Sequence, residues 1–252
     1  MKDFSLTAYK QLLIAVQEKE YVFFTYEQFC NTKKPPKKYI ILRHDVDRNA
    51  GNALKIANIE IILGIKASYY FRTGKESNQP EIIKQIAKLG HEIGYHYEDL
   101  ASANGDYEKA IKTFENNLEY FRKFYPIKTM CMHGSPLSKW DNRDLWKKYD
   151  YKKYGIIAEP YFDLNFNEIF YITDASRSWN NKKVTLRDKV KSNFNIKINT
   201  AFDIIALLKS NKLPNKIMLN THSQNWTNNK IVWYKILLWQ SLKNMVKSRL
   251  KR

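Results

Sequence analysis

A chain of 252 residues that is 44% hydrophobic and 14% aromatic can bury a large core within one domain, which excludes a disordered composition. Its 43 Lys and Arg against 25 Asp and Glu leave a formal charge of +18, which fits either an anionic partner or a chain-wide abundance of Lys, Asn and Ile. Only Cys30 and Cys131 are present and no CxxC occurs, which argues against a disulfide framework and suits a reducing cytoplasm.

Residues Leu6 to Glu18 read as an amphipathic helix and Tyr21 to Thr25 as a short strand. The first ten residues lack the apolar segment of a signal peptide, so none is expected. Residues 31–38, with Pro35 and Pro36, read as a loop. Strand-like and helix-like segments then alternate. The strands are Tyr39 to Leu42, Ala67 to Phe71, Glu92 to Tyr95, Thr129 to Met132, Gly155 to Ala158, Ile169 to Ile172 and Ile217 to Asn220. The helices are Asn49 to Leu63, Glu81 to Leu89, Tyr107 to Phe124, Arg143 to Lys148, Ala201 to Lys209 and the tail from Lys230. Such alternation implies a parallel sheet with helical crossovers, and about seven strands favour a barrel. The expected fold is a single-domain α/β protein, a distorted (β/α)7-type barrel over residues 39–229. An N-terminal helix and strand (1–38) would pack on it, and a basic amphipathic helix (230–252) would follow. No apolar run approaches the ~18 residues of a membrane span.

Polar residues capable of chemistry fall just after the strands, where the loops of parallel α/β folds converge. The first group is Arg43-His44-Asp45-Val46-Asp47. Carboxylates two apart in extended chain share a face, so one can bind a metal while the other takes a proton; capping the helix from Asn49 is the plainer use. The second runs from Gly90 to Asp99 and places His96 at a strand exit, with Glu98 and Asp99 able to ligate a metal or orient the histidine. The third is Cys131-Met132-His133-Gly134-Ser135-Pro136, in which Cys131 reads as a small buried hydrophobe. In the fourth, Asp174 and Arg177 can pair and fix neighbouring side chains, or form a plain salt bridge. In the fifth, His222 ends a late strand and is a candidate general acid. No G-x-S-x-G elbow, P-loop or G-x-G-x-x-G is present.

From Tyr39 to Trp226 the sequence resembles the polysaccharide deacetylase family of metal-dependent carbohydrate esterases. The resemblance is carried by Asp45-Val46-Asp47, by Gly90-His91-Glu92-Ile93-Gly94-Tyr95-His96, by Leu219-Asn220-Thr221-His222 and by the strand Ile65 to Phe71. It implies a distorted barrel, a divalent metal (zinc is favoured) and an N-acetylated saccharide substrate. It casts Asp45 as catalytic base, Asp47 and His96 as metal ligands and His222 as general acid. The segment of Asp174 and Trp179 would support the base and line the pocket, with Trp179 and Trp226 walling the sugar.

Two departures matter. The family's second metal histidine falls on Leu100, which leaves Glu98, Asp99 and His133 as candidates for the third ligand, His133 first and Glu98 next; the family's third-motif Arg is replaced by His133-Gly134-Ser135-Pro136, so Arg177 would hold the base. The family also leads to an expectation of bacterial surface-glycan biosynthesis. Alternatives are an inactive saccharide-binding protein, motivated by Leu100, and a hydrolase of non-sugar linear amides. Residues 230–252 hold seven Lys or Arg and no acid, so they either pack on the barrel or touch an anionic membrane at its cytoplasmic face. No specific nucleic-acid partner is expected, because the basic residues form no recognised motif.

Overall fold

The computed structural model describes residues 2–136, 138–180 and 187–249. Helix α1 (Leu6–Gln17) starts where the Ser5 hydroxyl accepts the Ala8 N–H at 3.1 Å. Strand β1 (Val22–Phe24) follows, and then α2 (Tyr26–Asn31), which opens on a Thr25–Gln28 capping box and was not foreseen in the sequence. Next come β2 (Tyr39–Val46), α3 (Ala50–Ile62), β3 (Ser68–Phe71) and α4 (Pro80–Lys88). They lead to β4 (Glu92–Tyr97), the short α5 (Asp99–Ser102), α6 (Tyr107–Arg122) and β5 (Met130–Met132). After 3-10 turns come α7 (Pro160–Asp163), β6 (Phe170–Thr173), α8 (Ala201–Lys209), β7 (Lys216–Thr221) and α9 (Lys230–Arg249).

The strands form a parallel sheet in the order β5-β4-β3-β2-β7-β6, and β1 pairs in parallel with the first half of β2. Residues 22–24 thus belong to the sheet itself. The sheet curls into a half-barrel, an open and distorted (β/α) barrel in one domain. The expected strand at Gly155 to Ala158 does not form. That stretch touches the sheet through one bridge, Thr129 to Ala158, after a turn in which Gly155 holds φ at +72°. Positive φ at its first residue and a single ladder contact leave it short of a strand.

Period-two alternation sorts the strand side chains onto two faces. Ile40, Leu42, Val46, Tyr69, Phe71, Ile93, Tyr95, Ile217 and Leu219 pack against the helices in the larger core. Tyr39, Ile41, Tyr70, Cys131, Tyr171 and Met218 fill the barrel interior. The interior must narrow around Tyr70, and Gly94, its partner on β4, allows this: a Cβ there would lie 2.3 Å from the Tyr70 ring. Arg43 and Asp45 continue the inward row of Tyr39 and Ile41, and Asn220 continues that of Met218.

Candidate active site

Asp47, His96 and His133 come together above the C-terminal ends of β2, β4 and β5. Asp47 Oδ1 lies 3.5 Å from His96 Nε2 and 3.6 Å from His133 Nε2. Both imidazoles are fixed from behind. His96 Nδ1–H donates to the Cys131 carbonyl at 2.9 Å, and His133 Nδ1–H donates to Glu98 Oε2 at 2.8 Å. Each bond leaves the Nε2 lone pair turned toward Asp47, the arrangement of metal-ligating histidines. Asp47 Oδ1 is a buried oxygen with no hydrogen-bond partner among the described residues, while Oδ2 accepts from Gln224 at 3.0 Å. A buried, orphaned carboxylate oxygen facing two imidazole nitrogens is a donor set suited to a divalent cation.

Asp45, His96 and Cys131 also place donors within 4.8 Å of one another. Cys131 is the weak member of that set. Burial pushes its thiol well above the ordinary range, and its sulfur sits 2.7 Å from Arg43 Nη1 in the apolar barrel interior. Asp45 Oδ2 is already engaged. It accepts from Asn220 Nδ2 at 2.8 Å and from Arg43 Nη2 at 3.1 Å. Asp47, His96 and His133 are therefore the better-suited candidate set for a cation.

Asp45 lies beside that set, with Oδ2 4.0 Å from His96 Nε2 and 3.9 Å from His222 Nε2. Burial alone would raise its carboxyl, but Arg43, His96 and His222 hold it below the usual carboxylate range. Among the described residues its buried Oδ1 has no hydrogen-bond partner, which leaves it open to take a proton. On the opposite side, Asp174 Oδ1 accepts both the backbone N–H of His222, at 2.8 Å, and its Nδ1–H, at 2.7 Å. Trp226 Nε1–H donates to the other Asp174 oxygen at 2.8 Å. Burial works against charge on His222, but Asp174, with Asp47 and Asp45, pushes its imidazolium up to about 10.

Several expected residues lie elsewhere. Arg177 does not hold Asp45. Its guanidinium stacks on the rings of Trp233 and Phe4, 4.5 and 5.0 Å from the centroids, and its nitrogens make no hydrogen bonds among the described residues. Arg43, two residues before Asp45 on the same face of β2, takes that role. The oxygens of Glu98 are shared between His133 and a bidentate pair with Arg72. Burial opposes its charge, yet His133 and Arg72 bring its carboxyl down to about 2. Trp179 and Trp226 do not wall a pocket either. They are 3% and 0% exposed and pack with Phe4 behind the site, where Trp226 positions Asp174. Leu100 is fully buried on α5 and offers no donor.

The cavity over these groups has a volume of about 640 Å³, and Met132, Pro136, Tyr161, Trp239, Leu242 and Val246 give it apolar walls. Period two could have found Arg43 and Asn220, which precede Asp45 and His222 by two residues. No sequence signal marks Asp188, which accepts from the hydroxyls of Tyr161, Tyr171 and Thr173 and lines the cavity.

No family model matches the chain, and no curated protein matches it. Similar solved structures include wild-type BA3943, a CE4 family pseudoenzyme from Bacillus anthracis, at 11% identity and a TM-score of 0.46; the alignment covers 83% of this chain and 63% of that one. PdaA of Bacillus subtilis, a family 4 carbohydrate esterase, is 15% identical with a TM-score of 0.44, over 92% of this chain and 84% of that one. The Bc1960 peptidoglycan N-acetylglucosamine deacetylase is 17% identical with a TM-score of 0.43, over 90% and 89% of the two chains. The chain thus spans less than two thirds of the length of BA3943. Identities this low fix neither activity nor substrate, which rest on the side chains of the site.

Proposed function

We propose that the protein is a metal-dependent hydrolase of linear amides, related to the polysaccharide deacetylases, that removes an N-acyl group, N-acetyl foremost, from an amino sugar in a glycan or its precursor. The observation that carries this reading is the convergence of two back-fixed imidazole Nε2 atoms on the unpartnered Asp47 Oδ1, with Asp45 and His222 flanking it. Asp47, His96 and His133 would hold the cation, zinc by their donor chemistry. When bound, such an ion polarises an acyl carbonyl and acidifies water. Asp45 Oδ1, ionised and unpartnered, accepts the proton of the attacking water. His222, kept charged by Asp174, delivers a proton to the leaving nitrogen through Nε2. Arg43 and Asn220 hold Asp45 in place, and Trp226 does the same for Asp174. The apolar walls of the cavity would receive the body of the saccharide.

The direct test is the metal content of the purified chain after incubation with Zn²⁺, beside His96→Ala and His133→Ala, together with acetate release from N-acetylated amino sugars. Near-stoichiometric metal in the parent, lost in both variants, is the expected result. A parent that takes up no metal would overturn the reading and favour an inactive saccharide-binding protein.

A further inference from the structure

Helix α9 is inverted relative to the helix of an ordinary soluble domain. The side it turns inward carries Trp233, Ile236, Gln240, Lys243 and Asn244. Gln240 and Asn244 bond each other at 2.8 Å, and Asn244 Nδ2–H donates to the Ser176 carbonyl at 3.1 Å. The outward side is apolar: Ile231 is 69% exposed, Leu238 65%, Val246 58% and Leu242 54%, with Tyr234, Trp239 and Met245 also exposed. On a 3.6-residue period Ile231, Leu238 and Leu242 form one stripe, with Trp239 and Val246 along its edge. A contiguous apolar stripe of this kind marks a docking surface.

Charge decides the occupant. The segment from Lys230 to Arg252 has seven basic residues and no acid, within a chain of formal charge +18. Two such chains repel, which disfavours a second copy, whereas an anionic lipid surface satisfies both the apolar stripe and the cations. Among the described residues no helix is long and apolar enough to cross a membrane, so α9 would lie along the surface. Trp239, Leu242 and Val246 of the same helix also wall the cavity that holds Asp45, Asp47, His96, His133 and His222.

We propose that α9 docks the protein on an anionic lipid bilayer with the cavity opening beside it, so that the scissile amide is presented on a membrane-anchored saccharide. The docking rests on α9 alone; the substrate class rests on the hydrolase reading. The test is sedimentation of the full chain with phosphatidylcholine vesicles, with and without phosphatidylglycerol, beside an Ile231→Glu/Leu238→Glu variant, neither position lining the cavity. The parent should sediment with the anionic vesicles, and the variant should bind about tenfold more weakly or less still. A parent that stays in the supernatant, binds both vesicle types equally or binds no better than the variant would overturn the proposal. So would a variant that binds vesicles normally but loses a self-association shown by the parent, which would make the stripe a contact between copies. Acetate release from a water-soluble N-acetylated sugar, read separately, should be unchanged in the variant. Vesicle binding without any release by the parent would sink the hydrolase reading and leave the docking standing.

Discussion

Asp45 and Asp47 are two residues apart, yet the structure gives them different surroundings. Among the described residues Asp47 keeps one buried oxygen free of hydrogen bonds and turned toward two imidazoles, whereas Asp45 has one oxygen held by Arg43 and Asn220 and the other unpartnered. Replacing Asp45 with Asn keeps the volume and can retain a contact with Arg43, but removes the proton acceptor. Asp45→Asn should lower kcat by at least about 100-fold while leaving metal content unchanged, because the candidate ligands are untouched. Turnover at the parent's rate would show that another group takes the proton. The positions of Asp45, His96, His133 and His222 were legible in the sequence because each stands at the end of a recognisable strand. Their supports were less so. An Arg partner for Asp45 was expected from position 177, but the partner lies two residues away on the same strand, where alternation alone brings Arg43 alongside. Trp179 and Trp226 misled because an aromatic near a polar motif reads equally well as a pocket wall or as core, and sequence does not show depth.

At the scale of elements, the most family-like segment, Gly90 to Gly94, contributes packing and no chemistry. Glu92 is buried and accepts from the Ser68 and Thr129 hydroxyls and from the Glu27 backbone N–H, tying β4 to β3, to the residue that leads into β5 and to α2. His91 accepts from the Ala67 N–H and donates to the Ala57 carbonyl. Beside it, Glu60 of α3 is fully buried, 2.6 Å from His44 Nε2 on β2, and accepts from the hydroxyls of Tyr9 on α1 and Tyr69 on β3 at 2.5 Å each. Burial would raise this carboxyl, but His44 and His91 hold it below its usual range. One carboxylate therefore joins two helices to two strands. Glu60→Ala would leave the polar side chains of His44, Tyr9 and Tyr69 facing an empty site and should cost about 3–5 kcal/mol, read as a lower midpoint in urea unfolding. A loss under about 1 kcal/mol would mean that the knot is not what fastens α1 and α3 to the sheet. The seven strands and the longer helices could be read from periodicity, whereas the short α2, α5 and α7 could not. Glu60 could not, because an acid on an amphipathic helix normally faces water and only the assembled fold shows Tyr9, His44 and Tyr69 closing around it.

Across the whole molecule, buried carboxyls set the pH dependence of stability. Burial raises Asp99 to about 7 from an ordinary 3.8, even though Tyr95 and Asn117 donate to it. Burial likewise raises Glu159 to about 7 from 4.5, despite the Met132 and Tyr161 N–H groups. Both bind a proton more tightly in the folded chain than in the unfolded one. Between an ordinary carboxyl pKa and about 7 the folded state holds the proton and the unfolded state does not, so stability falls as pH rises. Each group contributes a slope of about −1.4 kcal/mol per pH unit in that window, and the slope vanishes above it. Asp99 is the cleaner probe, because Glu159 also caps α7. An Asn at position 99 keeps the shape, can accept from Tyr95 or Asn117, and has no proton to lose. Relative to the parent, Asp99→Asn should therefore gain on the order of 2 kcal/mol between pH 5 and pH 7 and no more beyond about pH 8. Urea unfolding of both proteins at matched ionic strength cancels the repulsion of a chain at +18, which the two share to within one charge. Parallel stability curves from pH 5 to pH 8 would show that Asp99 ionises as readily in the folded chain as in the unfolded one.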